Sequence, residues 1–139
     1  MEYRGGLRFD ALTQSGHTVV IDGAPEVGGQ DQGPRPMEMV LAALGSCSGI
    51  DVALIVQKMR VQLDAFSIVL DGSRRDREPK VYEHITLQYR FASPDLSASQ
   101  AQRAVHLSFE KYCSVSEMLR ATVAFSVQVF LNDRLVDEF

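Results

Sequence analysis

The stretch Pro36–Arg60, PMEMVLAALGSCSGIDVALIVQKMR, decides the fold. Proline suits the first turn of a helix, where its missing N–H leaves no bond unmade. No further proline interrupts the run, and Met37, Val40, Leu41, Leu44, Cys47, Ile50, Leu54, Ile55 and Met59 recur at helical spacing. The spacing predicts a helix over 36–60. Between Met39 and Val56 the only charge is Asp51. A helix apolar on nearly every side must be buried on most of them. At 139 residues the chain reads as a single domain, 1–139, with one core. So small a domain is poorly able to wrap a helix all round, which favours burial against a second subunit.

On the N-terminal side, Leu7–Leu12 and His17–Asp22 read as two strands joined by a hairpin turn at Thr13-Gln14-Ser15-Gly16. Residues 23–36 hold four of the ten glycines and three of the five prolines, so they form a loop. It reads as a surface loop, a lid or a partner-contacting segment. On the C-terminal side, Asp64–Asp71 and Lys80–Phe91 read as antiparallel strands, the second with Val81, Glu83, Ile85, Leu87, Tyr89 and Phe91 on one face. A helix is expected over 99–112, with Ala101, Ala104, Val105 and Phe109 inward. Ser114-Val-Ser-Glu117 matches a capping box, so a short helix should start at Ser114. Alternation from Val123 to Leu131 marks a further strand. The order of elements gives an α+β class.

Composition narrows the function. Fourteen basic against eighteen acidic residues leave a net charge of −4, which removes the electrostatic reason to expect nucleic acid or an anionic membrane as partner. No signal peptide is read at the N-terminus, and the longest apolar stretch, Met39–Leu44, is far too short for a membrane span, so a cytoplasmic protein is expected. Two cysteines are too few for a disulfide scaffold or a cysteine-only zinc site, but they suffice for one redox pair.

Cys47 lies within the long helix, in Gly45-Ser-Cys-Ser-Gly49. Two glycines in a helix interior cost about 1 kcal/mol each against alanine, so they imply close approach by a neighbouring helix or a ligand. On the residues alone, a lone mid-helix cysteine reads sooner as a small buried hydrophobe. Cys113 precedes the expected cap Ser114, where free amides and the helix dipole favour a thiolate, although a loop cysteine without a role fits as well. His17, His84 and His106 share no metal-ligand spacing, so no metal and no cofactor is expected. No serine-hydrolase elbow or phosphate-binding glycine loop is present.

At these residues the chain resembles a family. Gly33-Pro-Arg-Pro-Met-Glu-Met-Val-Leu-Ala-Ala-Leu-Gly-Ser-Cys-Ser-Gly-Ile-Asp-Val52 is similar to the cysteine-bearing central helix of the osmotically inducible protein C / organic hydroperoxide resistance (OsmC/Ohr) superfamily. Lys111-Tyr-Cys-Ser-Val-Ser116 is similar to its second-cysteine motif, which more often carries proline after the cysteine. The G-P-x-P-M-E-M-V-L-A-A form resembles an OsmC-like branch apart from the well-studied peroxidases. The resemblance implies antiparallel sheets around long central helices in an intertwined homodimer. It also implies thiol peroxidase chemistry: Cys47 attacks an organic hydroperoxide, Cys113 resolves the sulfenic acid, and an external, lipoyl-linked dithiol restores both thiols. A non-enzymatic small-molecule-binding or redox-sensing protein of the same fold is the alternative.

The activating residues depart from the family pattern. The family's arginine comes from the loop after the first strand, where this chain has Thr13-Gln14-Ser15-Gly16. Arg8 and Arg35 are the nearest candidates. Its glutamate lies ten residues before the cysteine, where Met37 stands; Glu38 is nine before and, at about 100° per residue, half a turn from Cys47. Asp51, one turn after Cys47, adds negative charge to the face where a thiolate would form.

Overall fold

A computed structural model describes all residues, Met1–Phe139. The chain forms two compact units, Met1–Ala42 and Ala43–Phe139, and their boundary falls inside the long helix.

In the first unit, β1 (Glu2–Tyr3), β2 (Phe9–Leu12) and β3 (Thr18–Ile21) make an antiparallel sheet in that order. The expected hairpin joins β2 to β3: Thr13 N donates to His17 O at 2.9 Å, and Gly16 takes φ +84°, a left-handed conformation glycine adopts freely. The loop that follows is built around one carboxylate. Asp22, 1% exposed, accepts from the backbone N–H groups of Gly23 (2.8 Å), Gln30 (3.0 Å) and Gln32 (3.1 Å). These donors, Gln32 foremost, hold its carboxyl below the ordinary carboxylate range. Gly29 packs so tightly on Gly23 that a Cβ would collide with its carbonyl.

Helix α1 runs Pro36–Lys58, close to the expected span. Leu44, Ser48, Val52 and Val56, four residues apart, form its buried stripe. The two glycines do mark a close approach, but to a sheet rather than to a helix or ligand. A Cβ at Gly45 would stand 2.7 Å from Leu70 Cδ1, and one at Gly49 3.2 Å from Ile68 Cδ1. On the opposite side Ile50 (61%) and Leu54 (49%) remain exposed. Although its uninterrupted apolar runs are short, α1 is long and apolar enough to cross a bilayer by length and composition, with a mean hydropathy of 2.0.

The second unit carries a four-stranded sheet in the order β4 (Ala65–Arg74), β5 (Tyr82–Ala92), β6 (Ala124–Leu131) and β7 (Arg134–Glu138). The sheets are antiparallel as expected except at one pairing: β5 and β6 are parallel, from His84↔Ala124 to Phe91↔Leu131. Parallel neighbours require a crossover, and the helices between them supply it. The inner face of β5 is also shifted at one end. Ser73 pairs with His84 but Arg74 with Tyr82, so Glu83 is an extra residue that turns Tyr82 inward in place of Val81 and Glu83. Ile85, Leu87, Tyr89 and Phe91 are buried as the alternation predicts.

Helix α2 (Ala98–Leu107) starts with a capping box between Ser97 and Gln100 and buries Ala101, Ala104 and Val105. The expected single helix over 99–112 ends early: Ser108–Tyr112 widens into a π-helical turn, closed by Cys113 N donating to Ser108 O at 2.8 Å. Helix α3 (Ser114–Arg120) follows. His106 ties α2 to the C-terminal strand, with Nε2 2.9 Å from Asp137 and Nδ1 3.0 Å from Glu110, and its ring stacks on Phe139 at 3.9 Å.

Candidate active site

The second unit brings the two cysteines together. Both are free thiols, and Cys47 is near enough to perturb the Cys113 thiol. Cys47 sits half-buried on α1, whereas Cys113 is 3% exposed. The cap of α3 is Cys113 itself, not Ser114: its sulfur accepts from the Ser116 N–H at 3.4 Å. Ser116 Oγ lies 2.8 Å from the Cys113 carbonyl and 2.9 Å from that of Phe109, which fixes the turn. The reading of Cys113 as a polarised thiol is overturned. Burial pushes the Cys113 thiol up from its ordinary value, the Ser116 amide opposes this without winning, and the neighbouring Cys47 adds to the rise. A helix start favours the thiolate and burial opposes it; here burial dominates.

Beside the thiols is a set of hydroxyls that no sequence motif announced. Ser48 Oγ is 2.6 Å from Tyr89 OH and 2.8 Å from Ser108 Oγ, and all three residues have no exposure. Ser108 Oγ also donates to the Ser48 carbonyl at 3.1 Å and reaches Asp51 Oδ2 at 3.5 Å. Burial pushes the Tyr89 phenol far above its ordinary range, so it keeps its proton. The only sequence signal for this group was the inward register of Tyr89; Ser48 and Ser108 read as ordinary small residues.

A cleft of about 460 Å³ in the same unit meets this group through Asp51 but is lined by neither cysteine. Asp51, Leu54, Ile55, Met59, Leu107 and Tyr112 line it, with Lys58 and Arg103 as its positive charges. Apolar side chains dominate, which suits an organic ligand over a small polar one.

The other sequence candidates lie in the first unit. Arg8 is held by Asp10 (Nε to Oδ1 2.9 Å) and by Gln32 (Nη1 2.7 Å). Arg35 pairs with Glu38 and with Asp31, each at 3.3 Å, and its backbone N–H also donates to Glu38 at 2.9 Å. No cluster of three histidine, cysteine or acidic side chains is arranged to hold a metal ion.

Comparison with known proteins follows the thiols and the fold. The sequence profile described as OsmC-like protein matches residues 29–128, which include both cysteines. The chain belongs to the OsmC-like family. This OsmC-like chain is 42% identical over 118 residues to protein YhfA of Escherichia coli strain K12, covering 85% of each. It also matches a protein solved by structural genomics at 39% identity and a TM-score of 0.82, covering 94% of this chain and 95% of the other. An organic hydroperoxide resistance protein OsmC of Legionella pneumophila, at 16% identity and a TM-score of 0.66 over 94% and 99% of the two chains, shares the OsmC-like fold.

Proposed function

We propose that the chain is a cysteine-based thiol peroxidase that reduces organic hydroperoxides to alcohols. Membership of the OsmC-like family supports a redox or peroxide-stress role. The observation that carries the finer reading is a pair of free thiols on linked elements, one half-buried and one buried: Ser48, next to Cys47, bonds Ser108, whose carbonyl receives the Cys113 N–H. Cys47, the more accessible, attacks the terminal oxygen of the hydroperoxide as thiolate. The O–O bond breaks, the alkoxide takes a proton and leaves as alcohol, and Cys47 becomes a sulfenic acid. Cys113 then attacks the Cys47 sulfur; hydroxide leaves, is protonated to water, and a disulfide forms. An external dithiol, lipoyl-linked in the family's characterised members, reduces that disulfide by exchange and is itself oxidised.

In this reading a positive charge holds the Cys47 thiolate, and Arg35, paired with Glu38, and Arg8 are the candidates to supply it. Two copies associate through the exposed side of α1, as Ile50 and Leu54 suggest, in a reducing, cytoplasmic setting.

Thiol titration of the reduced protein with cumene hydroperoxide and with hydrogen peroxide tests the reading. Two thiols should be lost per chain, faster with cumene hydroperoxide, and Cys47→Ser should abolish the loss. Cys113→Ser should lose one thiol and leave a trappable sulfenic acid. No thiol loss at millimolar peroxide would overturn the peroxidase and leave a binding or redox-sensing protein.

A further inference from the structure

We propose that the buried hydroxyl cluster Ser48–Tyr89–Ser108 is a positioning device for the thiol pair: it ties α1, at the residue after Cys47, to the origin of the turn that ends in Cys113. The inference rests on the thiol-pair reading and assigns it three positioning residues.

Three hydroxyls without solvent exposure need a complete set of partners, since each left unpaired costs about 1–3 kcal/mol. The distances allow an arrangement that satisfies all three, with Asp51 Oδ2 at 3.5 Å as a second acceptor for Ser108. Tyr89 O–H donates to Ser48 Oγ (2.6 Å), Ser48 O–H to Ser108 Oγ (2.8 Å), and Ser108 O–H to the Ser48 carbonyl (3.1 Å). Every hydroxyl hydrogen is used, and the pattern runs one way from the sheet to the helices. Tyr89 is a firm anchor, because β5 is hydrogen-bonded on both sides, to β4 and β6.

The cluster meets the thiols at both ends. Ser48 is the covalent neighbour of Cys47. Ser108 starts the π-helical turn, and its carbonyl receives the Cys113 N–H at 2.8 Å. The rest of that turn is held as well: the Phe109 carbonyl accepts from Ser116 Oγ at 2.9 Å and from Arg120 Nη2 at 3.0 Å. Ser108 is thus the point where the Cys113 turn is fastened to the Cys47 helix. Polar side chains there specify one register between helix and turn, which an apolar contact would leave free to slide.

The consequence is read in the thiol–disulfide equilibrium. Against dithiothreitol, the two protein thiols give up two electrons and two protons to oxidised dithiothreitol, forming the Cys47–Cys113 bond and two reagent thiols. Tethered sulfurs have a high effective concentration for this step, and loosening the tether lowers it.

The experiment equilibrates full-length protein with dithiothreitol redox buffers and counts free thiols by alkylation and mass. Tyr89→Phe keeps the ring and its packing, and Ser108→Ala removes the fastening hydroxyl. Each should lower the disulfide equilibrium constant at least about fivefold. Ser93→Ala is the control: Ser93 is buried and bonded to Gln62 and Leu96, with no bond to either cysteine or to the hydroxyl cluster, so its loss should lower Tm and leave the constant within about twofold. A wild-type disulfide with an unchanged constant in Tyr89→Phe and Ser108→Ala would overturn the positioning role alone. A wild-type chain that forms no disulfide at any buffer ratio would overturn this role and the peroxidase together.

Discussion

Truncating Ile50 should dissociate the proposed dimer, by an amount that the helix itself sets. Ile50→Ala removes three carbons, worth about 2.4 kcal/mol when fully buried. Because Ile50 is 61% exposed in the single chain, the share left for a partner to bury is about 1.5 kcal/mol per protomer. A twofold interface counts the change twice, so the loss is about 3 kcal/mol, or roughly a hundredfold in dissociation constant. Leu54, 49% exposed, should lose about 2.4 kcal/mol per dimer on truncation, close to fiftyfold. Helix propensity does not confuse the result, since alanine is the best helix former. Sedimentation equilibrium over a range of protein concentrations measures the constants directly. A wild-type chain that stays monomeric, or truncations that leave its dimer constant unchanged, would refute the pairing of helices through this face.

Two further outcomes follow from the titrating groups. Iodoacetamide at neutral pH should label Cys47 at least about tenfold faster than Cys113, because Cys113 is 3% exposed and its thiol is pushed up; equal rates, by peptide mass analysis, would contradict that environment. Burial lowers the proton affinity of His106, but Glu110 and Asp137 outweigh it, so its folded pKa stands above the ordinary 6.5. The bridge therefore adds stability that is complete below the unfolded value and is lost as pH rises through the folded one. In NMR titration, Asp137→Asn should lower the His106 midpoint, and Tm should lose part of its pH dependence in that window. A wild-type midpoint at or below 6.5 would contradict the bridge.

Much of the fold was legible because apolar spacing speaks for burial. The run 36–60 gave α1 nearly to the residue, and the alternation of Val123, Phe125, Val127 and Val129 gave β6. What escaped were events that alternation does not encode. The extra residue at Glu83 exchanges Tyr82 for its neighbours, and only strand register reveals it. The parallel pairing of β5 with β6 depends on where the intervening helices carry the chain. In the site, both cysteines were found, yet Cys113 was assigned the wrong environment. Ser114 looks like the better cap by side-chain chemistry, but the π-helical turn brings the sulfur to the Ser116 amide instead. Ser48 and Ser108 were invisible because small polar residues on helices ordinarily face water.

The capping bond of Cys113 has one more implication. The sulfur that would change oxidation state is the same atom that receives the Ser116 amide hydrogen, so the first turn of α3 and the redox chemistry share an electron pair. Any modification of that sulfur alters what the amide sees, with no need for a large rearrangement. The backbone nitrogen of Ser116 is therefore a built-in indicator: one resonance, remote from solvent, that reports whether the thiol is reduced, bonded or oxidised.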